Sequence, residues 1–314
     1  MERRTFLKIL SSAGIVSLVS PTFAMEVCKN KVSKSSSALL ESAFRNPPFS
    51  SGVYTWWHWM NGNITKDGIT RDLEAMKANG IAGYQLFEAG SGIPIGPVES
   101  LSDEWVDLIL HTLKESERLG LEFAMHNCPG WSSSGGPWIT PDKAMQIITW
   151  SETKITGGKQ VRIQLPTPKH MFDYYIDTYC LAIPANMKVI PRLSILELSN
   201  RLDKDGVLTW DVPTGEWLIM RFGQTAKDQK NKSAPSKSTG LDCDKFSTEA
   251  LDYHLNCMFK RLMPTMEKIA KHSKIGLLID SYETGDQDWT SDMPAYFEQS
   301  HGYCLLYTSP SPRD

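Results

Sequence analysis

The sequence lacks several features that would assign it to a large class of proteins. Its six cysteines form no Cys-x-x-Cys pair and no regular spacing, so neither a zinc ribbon nor a disulfide framework is predicted. The 33 basic and 36 acidic residues give a net charge of -3, without the basic excess of nucleic-acid or membrane-surface binders. No phosphate loop, nucleophile elbow or internal repeat is present. The 314 residues have an ordinary globular composition and are enough for one large or two medium domains.

The chain also lacks an apolar run long enough to span a bilayer comfortably, yet its first residues carry an export pattern. Arg3 and Arg4 precede an apolar run over residues 9–19, and the small residue Ala24 follows. A charged start, a short apolar core and a small exit residue predict a signal peptide over residues 1–24. The paired arginines resemble a twin-arginine signal, and an ordinary Sec signal is the alternative.

Cys28 does not extend this pattern to a lipid anchor, because Glu26 and Val27 before it are not the small residues that such a site requires. We therefore expect residues 25–43 to form a leader after cleavage. The mature protein is expected to be periplasmic and to carry no membrane anchor.

The last residues lack the apolar periodicity of a helix or strand. Residues 304–314 resemble the translation of a sequencing-library adapter, with a natural tail rich in proline and serine as the alternative. We therefore expect the natural chain to continue past Tyr303 and this chain to be an N-terminal fragment.

Between these ends, residues 44–150 alternate between strand and helix patterns. Three short runs rich in β-branched and aromatic residues predict strands, over residues 53–59, 81–87 and 121–125. Thr65 and Ser102 are placed to cap the intervening helices, which Gly80 and Gly120 end. Successive βα units favour a parallel sheet, so the α/β fold predicted here is the first part of a (β/α)8 barrel.

The pattern changes over residues 151–226 to short alternating runs with proline and glycine turns, which predicts an inserted β-sandwich subdomain. Residues 227–303 then continue the barrel. They begin with a polar stretch, 227–238, that we expect to be mobile, and residues 275–280 predict a fourth parallel strand. Four strands are half of such a barrel.

Chemistry in a barrel of this type is located at the carboxyl ends of the strands. The residues predicted at these ends are Trp57, His58, Asn61, Glu88 and Asn127. Alternatives stay open for two of them: His58 is also compatible with a core position, and Glu88 with capping of the turn that follows it.

Four segments resemble the motifs of glycoside hydrolase family 106, the α-L-rhamnosidases, namely residues 56–65, 127–138, 240–247 and 280–290. The resemblance covers residues 44–303. It implies an exo-acting enzyme that releases terminal rhamnose, with inversion, from plant polysaccharides or glycans. Two alternatives are a non-catalytic carbohydrate-binding protein and a hydrolase of the same barrel type that acts on another sugar.

Glycoside hydrolysis needs two carboxyl groups beside the scissile bond. Glu283, just past the fourth strand, is the first choice for one of them, as general acid or alternatively as general base, against a structural carboxylate. Residues expected to bind the substrate around it are Trp131, Asp280, Tyr282, Gln287 and Trp289. The second carboxyl is expected on a later strand, so this chain alone is predicted to be inactive.

The resemblance also implies calcium near the sugar. Asp242 and Asp244, with Asp280, are the candidate ligands, although their spacing is not that of an EF-hand loop. No nucleotide cofactor is expected, because the glycine-rich run at Gly90 has no dinucleotide-binding context.

Overall fold

The computed structural model describes residues 34–187, 189–272, 275–279, 282–283 and 285–307. The predicted signal peptide, Asp280 and residues 308–314 therefore lie outside the described residues. The chain divides into two compact units, residues 1–52 and 53–314. In the first unit, a helix is followed by a 3-10 turn, and an exposed ion pair joins Glu41 and Arg45 within the helix.

The described helices are α1 (Lys34–Arg45), α2 (Lys66–Ala78), α3 (Asp103–Leu119), α4 (Thr248–Phe259), α5 (Met263–Ile269) and α6 (Met293–His301). The strands are β1 (Val53–Met60), β2 (Ile81–Ala89), β3 (Glu122–His126), β4 (Gln146–Thr156), β5 (Lys159–Gln164), β6 (Ile176–Pro184), β7 (Leu196–Glu197), β8 (Val207–Val212), β9 (Glu216–Ala226) and β10 (Ile275–Leu278). Short 3-10 turns lie at Phe49–Ser51, Arg192–Ser194, Ser199–Arg201, Ser236–Ser238 and Leu305–Tyr307.

Four strands form a parallel sheet in the order β1-β2-β3-β10, which confirms the predicted α/β class. The caps are also confirmed: the side chain of Thr65 accepts from the Gly68 amide, and that of Ser102 accepts from the Trp105 amide. Gly120 ends α3 with a φ of 65°, a left-handed conformation that glycine adopts without steric cost.

Alternation along the strands separates the two faces of this sheet. Tyr84 and Leu86 of β2 pack in the main core together with side chains of α2, α3, α4 and α5. Phe87, between Leu86 and Glu88, points to the other face, where it stacks on His58 and His126. One face of the sheet is therefore covered by helices and the other carries a row of rings.

The antiparallel part consists of a four-stranded sheet, β4-β9-β6-β7, and a ribbon, β5-β8. The ribbon packs on one face of the sheet, where Trp210 of β8 meets Ile219 of β9. The other face holds Met220 with Cys304 and Leu306, two residues of the segment predicted to be adapter-derived, and both are buried here. No helix in the described part of the chain is long and apolar enough to cross a membrane.

Candidate active site

The carboxyl ends of the four parallel strands meet at one edge of the sheet, called the carboxyl edge below. Asn61 follows β1, Gly90 follows β2, Asn127 follows β3, and Glu283 lies five residues past the end of β10. In open or closed parallel sheets, this edge is where ligands bind. The fold therefore brings segments far apart in sequence to one place.

Glu283 and Trp131 are in direct contact at the carboxyl edge. The indole Nε1 of Trp131 donates a hydrogen bond of 3.1 Å to Oε2 of Glu283, and the two residues are 152 positions apart in sequence. Glu283 is exposed to solvent. The contact joins the second and fourth motifs and leaves the carboxyl group of Glu283 accessible to solvent.

Tyr282, beside Glu283, packs against a cation that the sequence did not single out. The Nζ of Lys245 lies 4.9 Å from the centre of the Tyr282 ring, within cation–π range. The same Nζ donates to Oδ1 of Asp242 at 2.7 Å. Lys245 belongs to the third motif, and its place in that motif is the signal that could have identified it.

Asp242 is fully buried and also holds the loop after β3. Its Oδ1 accepts from the Ser134 hydroxyl and from the Cys243 amide, in addition to Lys245. Its Oδ2 is buried without a hydrogen-bond partner in the protein. Ser134 is a second residue that the sequence did not identify as part of the site.

Asp244 and Gln287 form a separate buried network. The carboxylate of Asp244 accepts from the Phe246 amide, the Gln287 side-chain amide and the Thr290 hydroxyl. Gln287 Oε1 in turn accepts from the Lys245 amide at 3.2 Å. Gln287 thus ties the segment after β10 to the third motif, a framework contact rather than the substrate contact predicted for it.

The aspartates in their present arrangement do not fit calcium. Calcium prefers six to eight oxygen ligands, whereas the Asp244 oxygens accept from protein donors and Asp242 is paired with an ammonium group. No group of three or more His, Cys, Asp and Glu residues suited to a metal ion occurs among the described residues. Asp280, the third candidate, lies outside them.

Asn127 is held at the end of β3 by a buried histidine. The backbone N–H of Asn127 donates to the Leu278 carbonyl, and its side-chain Nδ2 donates to the Ser133 carbonyl. The backbone carbonyl oxygen of Asn127 is 3.0 Å from Nε2 of His254. Trp138 Nε1 donates to the other ring nitrogen of His254, which requires the neutral form. Burial lowers the pKa of His254 to about 4, in agreement with this assignment.

The side chain of Glu88 lies on the helix-covered face, although its backbone pairs with Gly130 beside Trp131. It is 7% exposed, and Oε2 accepts from the Ser100 hydroxyl at 2.9 Å. Burial raises its pKa to about 7, against the weaker opposing effect of the Ser100 hydrogen bond. The structure therefore favours a buried framework carboxyl over the predicted substrate contact.

Two of the predicted aromatic contacts also belong to the framework. Trp57 points toward α2, where its Nε1 donates to Asp72, and its ring packs edge-on to Tyr84. Trp289 is 1% exposed; it packs in the same cluster as the side chains of β9, and its Nε1 donates to Gln224. Neither ring lies at the carboxyl edge with a face open to a sugar.

His58 and Asn61 differ from these two tryptophans in the segments that they contact, which are β2 and the loop after it. His58 is exposed on the opposite face from Trp57 and stacks on Phe87, with ring centres 5.3 Å apart. Asn61 has a left-handed φ of 50°, which asparagine tolerates better than most residues, and its Nδ2 donates to the Ile93 carbonyl. Both lie near the carboxyl end of β1, in contact with Phe87 and Ile93 respectively.

The polar stretch 227–238, expected to be mobile, instead forms hydrogen bonds with the loop after β3 that carries Trp131, called the Trp131 loop below. We call residues 227–240 the strap. Asn231, 3% exposed, donates to the Pro129 and Ser238 carbonyls. The backbone of Lys232 donates to the Ser132 hydroxyl and accepts from the Trp131 amide. These contacts fix the loop from which Trp131 reaches Glu283.

Parallel α/β enzymes carry their chemistry at this edge of the sheet, and an accessible carboxyl group is what glycoside hydrolysis requires there. The particular family follows from comparison with known sequences. The chain belongs to glycoside hydrolase family 106, the α-L-rhamnosidases, whose family model matches residues 45–179 and 169–310.

Known proteins similar to this chain include a curated sequence and a solved structure. A protein of Formosa agariphila named "Putative beta-glucuronidase" is 40% identical over 303 residues, which cover 87% of this chain and 26% of that protein. A rhamnosidase structure from Novosphingobium sp. PP1Y has a TM-score of 0.76 at 23% identity, covering 85% of this chain and 42% of that one, which supports the fold. The chain thus spans about a quarter of the curated relative it matches.

Proposed function

We propose that the protein is an inverting, exo-acting α-L-rhamnosidase that releases terminal rhamnose from plant polysaccharides or glycans, with Glu283 as its general acid. The observation that carries the proposal is the hydrogen bond from Trp131 to Glu283. This bond holds Glu283, the carboxyl group that was the first choice from the sequence, at the edge of the sheet where substrates bind.

In this proposal the four parallel strands are part of a (β/α)8 barrel, and the antiparallel part is an inserted β-sandwich. The strand order β1-β2-β3-β10 supports the first statement, because neighbouring barrel strands follow one another along the chain. The ribbon packed on the four-stranded sheet supports the second.

The chemistry requires Glu283 to donate its proton to the glycosidic oxygen as the bond from that oxygen to the anomeric carbon breaks. A water molecule attacks the anomeric carbon from the opposite face and transfers a proton to a second carboxyl group, which inverts the configuration. In the alternative assignment, Glu283 accepts the proton of that water. No described residue is assigned to the second carboxyl.

The test is hydrolysis of an aryl α-L-rhamnoside by the protein encoded by the whole gene. Glu283→Gln is expected to lower kcat by roughly 10²- to 10⁴-fold, the range for general acid–base catalysis. Glu267→Gln on α5, also an exposed carboxyl, is the control. An active Glu283→Gln enzyme would rule out this assignment, and proton NMR of the first product reports whether the β-anomer of rhamnose forms.

The same protein preparation tests the two alternative functions. The name of the Formosa relative makes β-glucuronides the first alternative substrate, so the panel of aryl glycosides includes a β-D-glucuronide. A non-catalytic binding protein would bind rhamnose in a titration while every aryl glycoside stays intact.

We also propose export to the periplasm through residues 1–24. The support is the pattern of Arg3, Arg4 and the following apolar run. Fused to a folded reporter, these residues are expected to carry it into the periplasm, and the double change Arg3→Lys, Arg4→Lys is expected to block transport. Transport by the double variant would indicate the Sec route.

A further inference from the structure

A polar groove of about 690 Å³ opens beside the carboxyl ends of β1 and β2. One wall is the loop after β2, including Ser91, Ile93 and Ile95, and the other is the strap. The volume falls within the range of roughly 300 to 1,000 Å³ that small-molecule sites occupy. Asn61, a residue predicted to contact substrate, lines the groove rather than the Trp131–Glu283 contact.

The groove and the candidate catalytic site share the strap, which lines the groove and contacts the loop that carries Trp131. Gly90 and Gly130 allow the strap to pass this close, because a Cβ at Gly90 would lie 2.6 Å from Pro235 and one at Gly130 would lie 2.0 Å from the Lys232 carbonyl oxygen. The backbone of Lys232 contacts the Trp131 loop. Lys232 thus lines the groove and also contacts the loop whose Trp131 donates to Glu283, so one strap residue connects the two places.

The strap is basic in a chain that is slightly acidic. It contains four lysines and one aspartate, whereas the whole chain has a net charge of -3. Two of those lysines, Lys230 and Lys232, line the groove together with Asp228, which lies 3.8 Å from Lys230. The groove thus carries a local excess of one positive charge, with Lys232 outside that ion pair.

The remaining lining suits a sugar ring. Gln229, Ser233, Ser236 and Thr239 supply amide and hydroxyl groups that can pair with sugar hydroxyls. Ile93 and Ile95 supply apolar surface for the C–H groups of a ring. A groove for a purely ionic ligand would not need these isoleucines.

We propose that this groove binds an anionic sugar residue of the substrate glycan, with Lys230 and Lys232 facing its acidic group. The inference rests on the proposed function, since it takes the substrate to be a glycan, and it adds the substrate class that the Trp131–Glu283 contact does not specify. The acidic group is a uronate carboxylate or a sulfate ester, which share the charge that the lysines recognise.

The experiment measures binding without turnover, by NMR titration of the protein encoded by the whole gene. Methyl β-D-glucuronide and methyl β-D-glucoside differ at C6 by the carboxylate alone, and glucose 6-sulfate tests the sulfate ester. The anionic ligands are expected to bind about threefold more tightly than the glucoside, the size of one or two exposed ion pairs. The preference should shrink in high salt. Whichever anion binds more tightly identifies the acidic group.

The double change Lys230→Gln, Lys232→Gln is expected to abolish the preference and to leave the affinity for the glucoside unchanged. Lys237→Gln is the matched control, because Lys237 is an exposed lysine of the strap that does not line the groove. Equal binding of anionic and neutral sugars by the unmodified protein would overturn the proposal, as would an equal loss in the control.

These outcomes are separate from those of the hydrolase test. A protein that cleaves the aryl rhamnoside but binds both sugars equally refutes the groove and leaves the proposed activity standing. A protein that prefers the anionic sugar but cleaves nothing supports the groove and removes the rhamnosidase assignment.

Discussion

Two carboxylate–cation pairs of equal length occupy different regions of the molecule. Arg221 Nε and Asp177 Oδ1 are 2.7 Å apart in the antiparallel sheet, and so are Lys245 Nζ and Asp242 Oδ1 at the carboxyl edge. In the first pair both carboxylate oxygens accept from the guanidinium, and its remaining nitrogen donates to the Leu165 carbonyl. In the second pair, Oδ2 of Asp242 has no partner in the protein.

Hydrogen-bond satisfaction therefore distinguishes the two regions: the framework carboxylate has partners for both oxygens, and the carboxylate at the carboxyl edge does not. More than nine in ten buried polar groups in proteins are hydrogen-bonded, so a cluster of exceptions needs a reason. Asn127 Oδ1 and Ser133 Oγ, in the loop after β3, share this lack of a partner with Asp242. The other buried atoms without a hydrogen-bond partner are more scattered and mostly neutral donors of the framework, such as the indole N–H groups of Trp59 and Trp105 and the hydroxyl of Thr178. The carboxyl edge thus keeps acceptors available to water or substrate.

The largest effect is expected from breaking the framework pair. Arg221→Leu leaves Asp177 without its cation, and because that carboxylate is 33% exposed we expect a cost near the lower end for buried pairs, about 3 kcal/mol. Urea unfolding measures it. Arg162→Leu, at an exposed position of β5, is the control and should cost less than about 0.5 kcal/mol. Equal unfolding midpoints for the two variants would show that Asp177–Arg221 is not a framework pair.

Glu88 also tests the comparison, because its buried carboxyl group lies near the carboxyl edge and yet is assigned to the framework. Its pKa is raised by burial to about 7, above the value of about 4.3 in an unfolded chain. Its contribution to stability is therefore fully present below about pH 4 and is lost as the pH rises through about 7. At pH 8 the loss amounts to about 4 kcal/mol at most.

Glu88→Gln is accordingly expected to raise the free energy of unfolding by about 2 kcal/mol at pH 8 and to leave it nearly unchanged at pH 4. Turnover should persist. Glu104→Gln, an exposed carboxyl on α3, should show no such pH dependence. If Glu88→Gln abolished turnover without stabilising the fold, Glu88 would belong to the site and the comparison would fail.

Much of the parallel sheet could be predicted from the sequence, because its signals are local. The caps at Thr65 and Ser102 and the apolar runs of β1, β2 and β3 each lie within a few residues. The faces of β1 could not be predicted in the same way. Trp57 and His58 are neighbours in an aromatic run, and only the position of the helices decides which of them faces the core.

The site was predicted in part for the same reason. Glu283 and Trp131 each followed a predicted strand, so a shared edge brought them together. Trp289 looked equally suitable, but its partner Gln224 is 65 residues away in a different sheet, a distance that no local pattern conveys. Lys245 was overlooked although it lies in the third motif, because its contacts with Asp242 and Tyr282 form only in the folded chain.

Neutralising Asp242 in its pair with Lys245 is expected to change stability less than the two changes above and to lower activity as well. Asp242→Asn keeps the size of the side chain, and Lys245, 15% exposed, can turn toward water, so we expect a cost of about 1–2 kcal/mol. Because Lys245 packs on Tyr282 beside Glu283, turnover should fall about tenfold. Asp177→Asn is the matched change in the framework pair and should lower stability without lowering turnover of the folded fraction. Equal effects on turnover would erase the distinction between the two regions.

The finest test removes one hydrogen bond at the carboxyl edge. Trp131→Phe keeps an aromatic ring but loses the indole N–H that donates to Glu283. A bond to a charged group contributes about 1.5–3 kcal/mol, and partial replacement by water reduces the loss, so we expect kcat to fall about tenfold with KM changed less than twofold. Trp150→Phe, a partly exposed indole of β4 in the antiparallel sheet, should change neither constant. A raised KM at constant kcat would instead mean that the Trp131 ring binds sugar in the ground state, because only an interaction that strengthens in the transition state lowers kcat when it is lost.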